Sequence, residues 1–212
     1  MSKTNIAGLY AIADTSVVDE AQLIERSWAV LQGGASVIQY RDKKNSPQAR
    51  LQQAKALRAL TREYQATLII NDDYQLAVEV EADGVHLGEE DGALSHARDY
   101  FRANNHHQAI IGISCYNQLA LAETAQQQGA DYVAFGRCFS STTKPGDRYV
   151  SRDQLVKARQ QLTVPMVAIG GITTANVADL ISVGVDAVAV IAALYRAEDS
   201  RQAAHSFCQL MA

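Results

Sequence analysis

The sequence predicts a single closed (β/α)8 barrel, the TIM-barrel architecture of parallel strands each followed by a helix. Three observations lead there. Short apolar, β-branched runs alternate with amphipathic stripes along the whole chain, the pattern of successive β-α-β units and a parallel sheet. A helix-exit-to-strand motif recurs at intervals of about 50 residues: Gly34-Ala35-Ser36-Val37, Ala82-Asp83-Gly84-Val85, Gly129-Ala130-Asp131-Tyr132-Val133 and Gly184-Val185-Asp186-Ala187-Val188. Each copy precedes an even-numbered strand, so the repeat is a quarter of a barrel. Finally, 212 residues allow roughly 26 per βα unit, the lean end for this architecture. An open doubly wound sheet is the rival fold, but it lacks so regular a return. No Pro/Ser-rich linker or low-complexity tract divides the chain, so residues 1–212 read as one domain.

The elements follow in order. Gly8-Leu9-Tyr10-Ala11-Ile12 reads as the first strand, and Ala21, Ile24, Trp28 and Leu31 form the inward stripe of the helix after it. Val37 to Arg41 is the second strand. Pro47, behind Asn45 and Ser46, suits the first turn of a helix with Leu51, Ala54, Leu57, Leu60 and Tyr64 inward. Thr67-Leu68-Ile69-Ile70 is a third strand buried on both faces, running into Asn71-Asp72-Asp73. Gly84-Val85-His86 is a short fourth strand, followed by a helix from about Asp91 to Ala103. Ile110 to Ser114, Tyr132 to Gly136, Met166 to Ile169 and Ala187 to Val190 complete the strands. Ala203, Ala204, Phe207 and Leu210 mark the closing helix.

Composition narrows the function classes. A net charge of −4 and a pI near 5.7 offer no basic field for nucleic acid or a membrane surface. The longest apolar runs, such as Val185 to Leu194, are too short to span a bilayer and contain Asp186. The N-terminus has no continuous apolar segment, so no signal peptide is expected. Cys115, Cys138 and Cys208 are widely spaced without a C-x-x-C, which fits a reducing cytoplasm and no disulfide framework.

In such a barrel the C-terminal strand ends share one mouth, where the site is built. After the second strand, Gln39, Arg41 and Lys43 fall on one face and Tyr40 and Asp42 on the other. Three polar groups on one face leading out of a buried strand favour an anion site over a merely solvated strand end. Burying a carboxylate unpartnered is costly, so Asn71 and Asp72 belong at the mouth. Either Asp72 or Asp73 also suits the N-cap of the segment 74–80. Asp91, one βα unit on, lies beside Asp72. Two carboxylates with water and phosphate oxygens suit Mg²⁺, although acids near Asp91 also suit a helix's first turn. His86 has no second His or Cys at ligand spacing, so zinc is not expected. Ser114, without a triad, reads as a hydrogen-bonding group, and Cys115 as packing. Ser140 to Lys144 is a hydroxyl-rich loop ending in a cation, and Gly170-Gly171 lets backbone N–H groups approach an anion. The loops after the seventh and eighth strands are a frequent phosphate site of these barrels.

These stretches, taken in order, resemble the thiamine-phosphate synthase family. The likeness is carried by Gln39-Tyr40-Arg41-Asp42-Lys43, Ile70-Asn71-Asp72, Ala82 to Gly88 with Asp91, Ile111 to Ser114, Thr143-Lys144 and Ala168 to Ile172. It implies a transferase that couples hydroxymethylpyrimidine diphosphate to hydroxyethylthiazole phosphate and releases diphosphate. By the same resemblance Gln39, Tyr40, Arg41, Asp42, Lys43, Asn71, Ser114 and Lys144 hold the pyrimidine diphosphate, with Arg41, Ser114 and Lys144 catalytic. Asp72 and Asp91 bind Mg²⁺. Ser141, Thr142, Thr143, Gly171, Ile191 and Ala192 hold the thiazole phosphate.

Three positions depart from the family pattern. Asp42 stands for a usual Glu, Ser140-Ser141-Thr142-Thr143 for Pro-Thr-x-Thr, and Ala192 for a usual Ser. The alternatives are a thiazole tautomerase-like isomerase of the same superfamily and a non-catalytic thiazole-phosphate sensor. The full set Gln39, Arg41 and Lys43 argues against the first, and intact Asp72, Asp91 and Lys144 against the second.

Overall fold

A computed structural model describes residues 6–88, 94–139 and 149–211. The strands are β1 (Gly8–Asp14), β2 (Val37–Arg41), β3 (Thr67–Asn71), β4 (Gly84–Leu87), β5 (Ile110–Tyr116), β6 (Tyr132–Phe135), β7 (Met166–Ile169) and β8 (Ala187–Val190). Each pairs in parallel with its sequence neighbour, and β1 pairs with β8, so the sheet closes into the expected barrel. Around it lie α1 (Glu20–Gln32), α2 (Pro47–Glu63), α3 (Tyr74–Glu79), α4 (Leu94–Ala103), α5 (Leu119–Gln127), α6 (Arg152–Gln161), α7 (Val177–Ile181), α8 (Ala192–Tyr195) and α9 (Ser200–Leu210).

Alternation along the strands divides the apolar residues into two layers. Leu9, Ile38, Leu68, Ile70, Val85 and Val188 face outward into the shell beneath the helices. Tyr10, Ile12, Val37, Ile69, Tyr132, Val167 and Ala189 fill the barrel interior. Gly112 on β5 makes room there: a Cβ at this position would lie 2.0 Å from the Tyr132 ring.

Two helix faces differ from expectation. The buried stripe of α1 is Leu23, Ser27, Val30 and Leu31, while Trp28 is 42% exposed and Ala21 lies outside the stripe. A polar residue can hold the buried position because the hydroxyls of Ser27 and Tyr195 bond at 3.2 Å. Leu210, at the end of α9, is likewise exposed; Ala204 and Phe207 make the contact. In α2, Ser46 caps the helix ahead of Pro47 by accepting from Ala49 N–H.

The quarter-barrel repeat has a physical cause at the face opposite the mouth. Asp83, Asp131 and Asp186 each accept an N–H at the start of the preceding odd-numbered strand, from Leu68 (2.7 Å), Ile111 (2.8 Å) and Met166 (2.7 Å). Each also pairs with an arginine of the helix that leads into that odd-numbered strand: Arg58 of α2 at 2.7 Å, Arg98 of α4 at 2.6 Å and Arg159 of α6 at 2.9 Å. Backbone pairing aligns Ser36 with these aspartates, so the first copy carries a hydroxyl in place of the clamp. Asp131→Ala is expected to lower the unfolding free energy by about 2–3 kcal/mol, since it leaves the Ile111 N–H without its acceptor and removes the carboxylate from Arg98, which keeps only the Ala109 and Gly129 carbonyls. Urea denaturation measures this, and the substrate KM values should not change.

Candidate active site

Strand β2 delivers the basic side chains to the mouth. Gln39 points into the barrel, 3% exposed, and its amide Nε2 donates to the Tyr10 hydroxyl at 2.9 Å. Arg41, two residues on, donates from Nη1 to Asp14 Oδ2 at 2.6 Å. Asp14 is the last residue of β1, and it also accepts from the Ser16 N–H (2.8 Å) and hydroxyl (2.6 Å). A 5%-exposed carboxylate with three such donors is a fixed anchor, so the guanidinium is set before any ligand arrives. Lys43 reaches across to β3, with Nζ 3.1 Å from Asp72 Oδ2.

Tyr40 and Asp42 do something else. Tyr40 belongs to the outer shell, and its hydroxyl lies 3.0 Å from Asp42 Oδ2 and 2.7 Å from Gln53 Oε1 on α2. Burial alone would raise the Asp42 carboxyl, but N–H groups of Lys44 (2.9 Å) and Asn45 (3.1 Å) bind its Oδ1 and leave it below the usual range. Expected as substrate-binding residues, these two shape the β2–α2 turn that presents Arg41 and Lys43. The shorter Asp42 side chain suffices because its partners are backbone groups two and three residues away.

At the end of β3 the three polar residues divide their work. Asn71 closes the strand. Asp72 turns into the left-handed region at φ 65° while its N–H still bonds His86 carbonyl oxygen at 2.8 Å. Aspartate tolerates this conformation better than most residues, and the turn directs its carboxylate to Lys43. Asp73 caps α3 through the Leu76 N–H (2.8 Å) and pairs with Arg50 (2.9 Å). The capping role therefore falls to Asp73.

His86 on β4 is engaged at both ring nitrogens: Nε2 lies 2.8 Å from Ser114 Oγ on β5, and Nδ1 lies 2.9 Å from the Tyr132 hydroxyl on β6. A register shift in β5 between Ser114 and Tyr116 follows, with Tyr116 at φ 53°. Cys115 faces the outer shell, where burial pushes its thiol up to about 12, so it carries no nucleophile. Gln39, His86 and Ser114 line a cavity of about 50 Å³ on the barrel axis.

The far rim is built on β7 and β8. Gly170 has φ 107°, and a Cβ there would stand 2.8 Å from the Arg137 backbone. This close approach lets Cys138 N–H bond Ile169 carbonyl oxygen (3.1 Å) and Phe139 N–H bond that of Gly170 (3.0 Å). Gly171 follows at φ 64°, its carbonyl oxygen accepting from Asn176 Nδ2 at 3.0 Å. Ile191 and Ala192 open the short helix α8 at the end of β8. Ser141, Thr142, Thr143 and Lys144, like Asp91, lie outside the described residues.

Among the described residues no group of three His, Cys, Asp or Glu side chains is placed to hold a metal ion. Asp72 fits one as a single hard oxygen ligand at the mouth, already facing a cation. A carboxylate completed by water and phosphate oxygens is the kind of donor set that Mg²⁺ takes. Sequence reasoning misses Asp14, Tyr10 and Tyr132, and it weighs His86 only as a zinc ligand. Period-two alternation in β1 and β6 does mark Tyr10 and Tyr132 as inward, but pairing them needs the closed barrel.

Comparison with known proteins supports one family. A family model described as thiamine monophosphate synthase matches residues 9–194. A thiamine-phosphate synthase of Nitrosococcus oceani is 50% identical over 206 residues, 97% of this chain and 93% of that protein. One of Methylobacillus flagellatus is 51% identical over 205 residues, 97% of this chain and 95% of the other. A solved thiamine phosphate pyrophosphorylase from Pyrococcus furiosus superposes with a TM-score of 0.87 at 35% identity, covering 97% of this chain and 95% of its own.

Proposed function

The chain belongs to the thiamine monophosphate synthase family, and on that footing we propose that it is a transferase forming thiamine phosphate. It couples hydroxymethylpyrimidine diphosphate to hydroxyethylthiazole phosphate and releases diphosphate. The observation that carries this reading is the inward row Gln39, Arg41, Lys43, braced by Asp14 and Asp72. A heterocycle seated by Gln39 and Ser114 in the axial cavity, with Asn71 at the end of β3, carries its diphosphate outward to Arg41 and Lys43, with Lys144 added from the β6 loop.

The reaction needs little more from the protein. The nucleophile is a neutral thiazole nitrogen, so no base has to remove a proton. Its lone pair forms the C–N bond, the methylene C–O bond breaks, and that electron pair leaves on diphosphate oxygen. Arg41 and Lys43 neutralise the charge developing there, and the barrel holds the two rings in line. Asp72 and Asp91 are the proposed Mg²⁺ ligands; the ion, when bound, adds Lewis-acid stabilisation of the leaving diphosphate. Gly171 and the backbone at Ile191 and Ala192, with Ser141, Thr142 and Thr143, are assigned to the thiazole phosphate. The free thiols Cys115, Cys138 and Cys208 suit a reducing cytoplasm, and no described helix is long and apolar enough to cross a membrane.

The test is diphosphate release with both substrates and Mg²⁺. Release that requires both substrates supports the transferase. Conversion of a thiazole isomer without release would instead identify a tautomerase, and thiazole phosphate binding without turnover a sensor.

A further inference from the structure

Five polar side chains from five strands are joined into one chain across the barrel interior. Gln39 Nε2 donates to Tyr10 at 2.9 Å, and the Tyr10 and Tyr132 hydroxyls lie 2.9 Å apart. The Tyr132 hydroxyl is 2.9 Å from His86 Nδ1, and His86 Nε2 is 2.8 Å from Ser114 Oγ. Barrels of this type usually fill these layers with branched apolar residues. Here Tyr10 and Tyr132 are fully buried, their hydroxyls meet on the axis, and Gly112 is cut away to admit the second ring. Packing alone would be served as well by phenylalanine.

Counting protons shows what the hydroxyls add. Each phenol carries one proton, since burial drives both well above their ordinary range. With a neutral imidazole, the links can be satisfied throughout in two ways. In one, Gln39 donates to Tyr10, Tyr10 to Tyr132, Tyr132 to His86 Nδ1, and His86 Nε2–H to Ser114. The other reverses every link and turns the Gln39 amide over. Any mixture leaves a buried link with two protons or none, which a buried polar group does not tolerate cheaply. The two ends are therefore tied: when one offers an acceptor to the cavity, the other offers a donor. The first arrangement, with the amide nitrogen of Gln39 on Tyr10, leaves the Gln39 carbonyl oxygen to accept and the Ser114 hydroxyl to donate.

We propose that Tyr10, Tyr132 and His86 are positioning residues that fix Gln39 as acceptor and Ser114 as donor, so that the cavity selects an aminopyrimidine edge. An amino hydrogen answers the first and an unprotonated ring nitrogen the second. The selectivity half rests on the functional reading above; the proton order of the chain does not.

Tyr10→Phe and Tyr132→Phe each cut the chain with almost no change in volume. The readout is the preference, in kcat/KM, for the amino substrate over a diphosphate whose ring amino group is replaced by methoxy, which offers acceptors only. Each variant is expected to reduce that preference by about tenfold to a hundredfold through the pyrimidine KM, leaving the thiazole phosphate KM unchanged. A merely structural role would slow both substrates alike, and an unchanged preference in both variants would overturn the proposal. In the ligand-free protein, ¹⁵N NMR of His86 should show a neutral ring protonated at Nε2. An imidazolium or an Nδ1–H tautomer would overturn the proton order whatever the activity. A wild-type protein that turns over neither ring would overturn the functional reading and the selectivity half with it.

Discussion

Asp72→Asn is expected to lower turnover by about two to three orders of magnitude while leaving stability nearly unchanged. The choice of asparagine follows from the backbone. Asp72 sits at φ 65°, where Asn is tolerated as well as Asp but Ala brings added strain of about 1 kcal/mol. Alanine would confuse lost chemistry with lost fold. Asparagine keeps the turn, removes the charge that faces Lys43, and removes the hard ligand proposed for Mg²⁺. Steady-state kinetics beside thermal denaturation makes the check. Turnover within a fewfold of wild type would take Asp72 out of the reaction.

Arg41→Ala carries the second large effect, and it should appear in both activity and stability. Loss of a guanidinium on the departing diphosphate is expected to reduce kcat/KM by about a hundredfold or more. It also strands Asp14, a nearly buried carboxylate, at a cost of about 3 kcal/mol, reduced to the extent that Ser16 still donates to it. Arg41→Lys separates the two. The ammonium satisfies the charge of Asp14 and restores most of the stability, but it cannot bond Asp14 and a phosphate oxygen with one planar fork. Activity should therefore recover less than stability does. Kinetics and urea unfolding of the pair would show it, and equal recovery of both would place Arg41 in the fold alone.

The barrel was legible in the sequence because its signals are local. Apolar runs set the strands, and the recurring glycine and aspartate mark where three of the four even-numbered strands begin. The clamp geometry explains the recurrence: an aspartate two residues before a valine can accept a neighbouring strand N–H only if the unit repeats in space. The face of α1 was misread because Ser27 is buried through a partner, Tyr195, far along the chain. Trp28, apolar and at helical spacing, took the place on paper that Ser27 takes in the fold.

At the site the same divide holds. Alternation along β2 separates Gln39, Arg41 and Lys43 from Tyr40 and Asp42. It does not say that the second pair is engaged by Gln53 and the backbone of the following turn. Asp14 offered no local signal, since its partner Arg41 belongs to the next strand. The axial chain from Gln39 to Ser114 was hidden for the same reason, as no two of its members share a strand.

The most direct measurement is an Mg²⁺ titration of diphosphate release by EDTA-stripped protein given both substrates. The expected result is no release without the ion and saturable recovery as it is added. One diphosphate should appear per thiamine phosphate, and Asp72→Asn should require far more Mg²⁺ for any recovery. Full release in EDTA, or a titration curve unchanged by Asp72→Asn, would contradict a metal-assisted departure at this mouth.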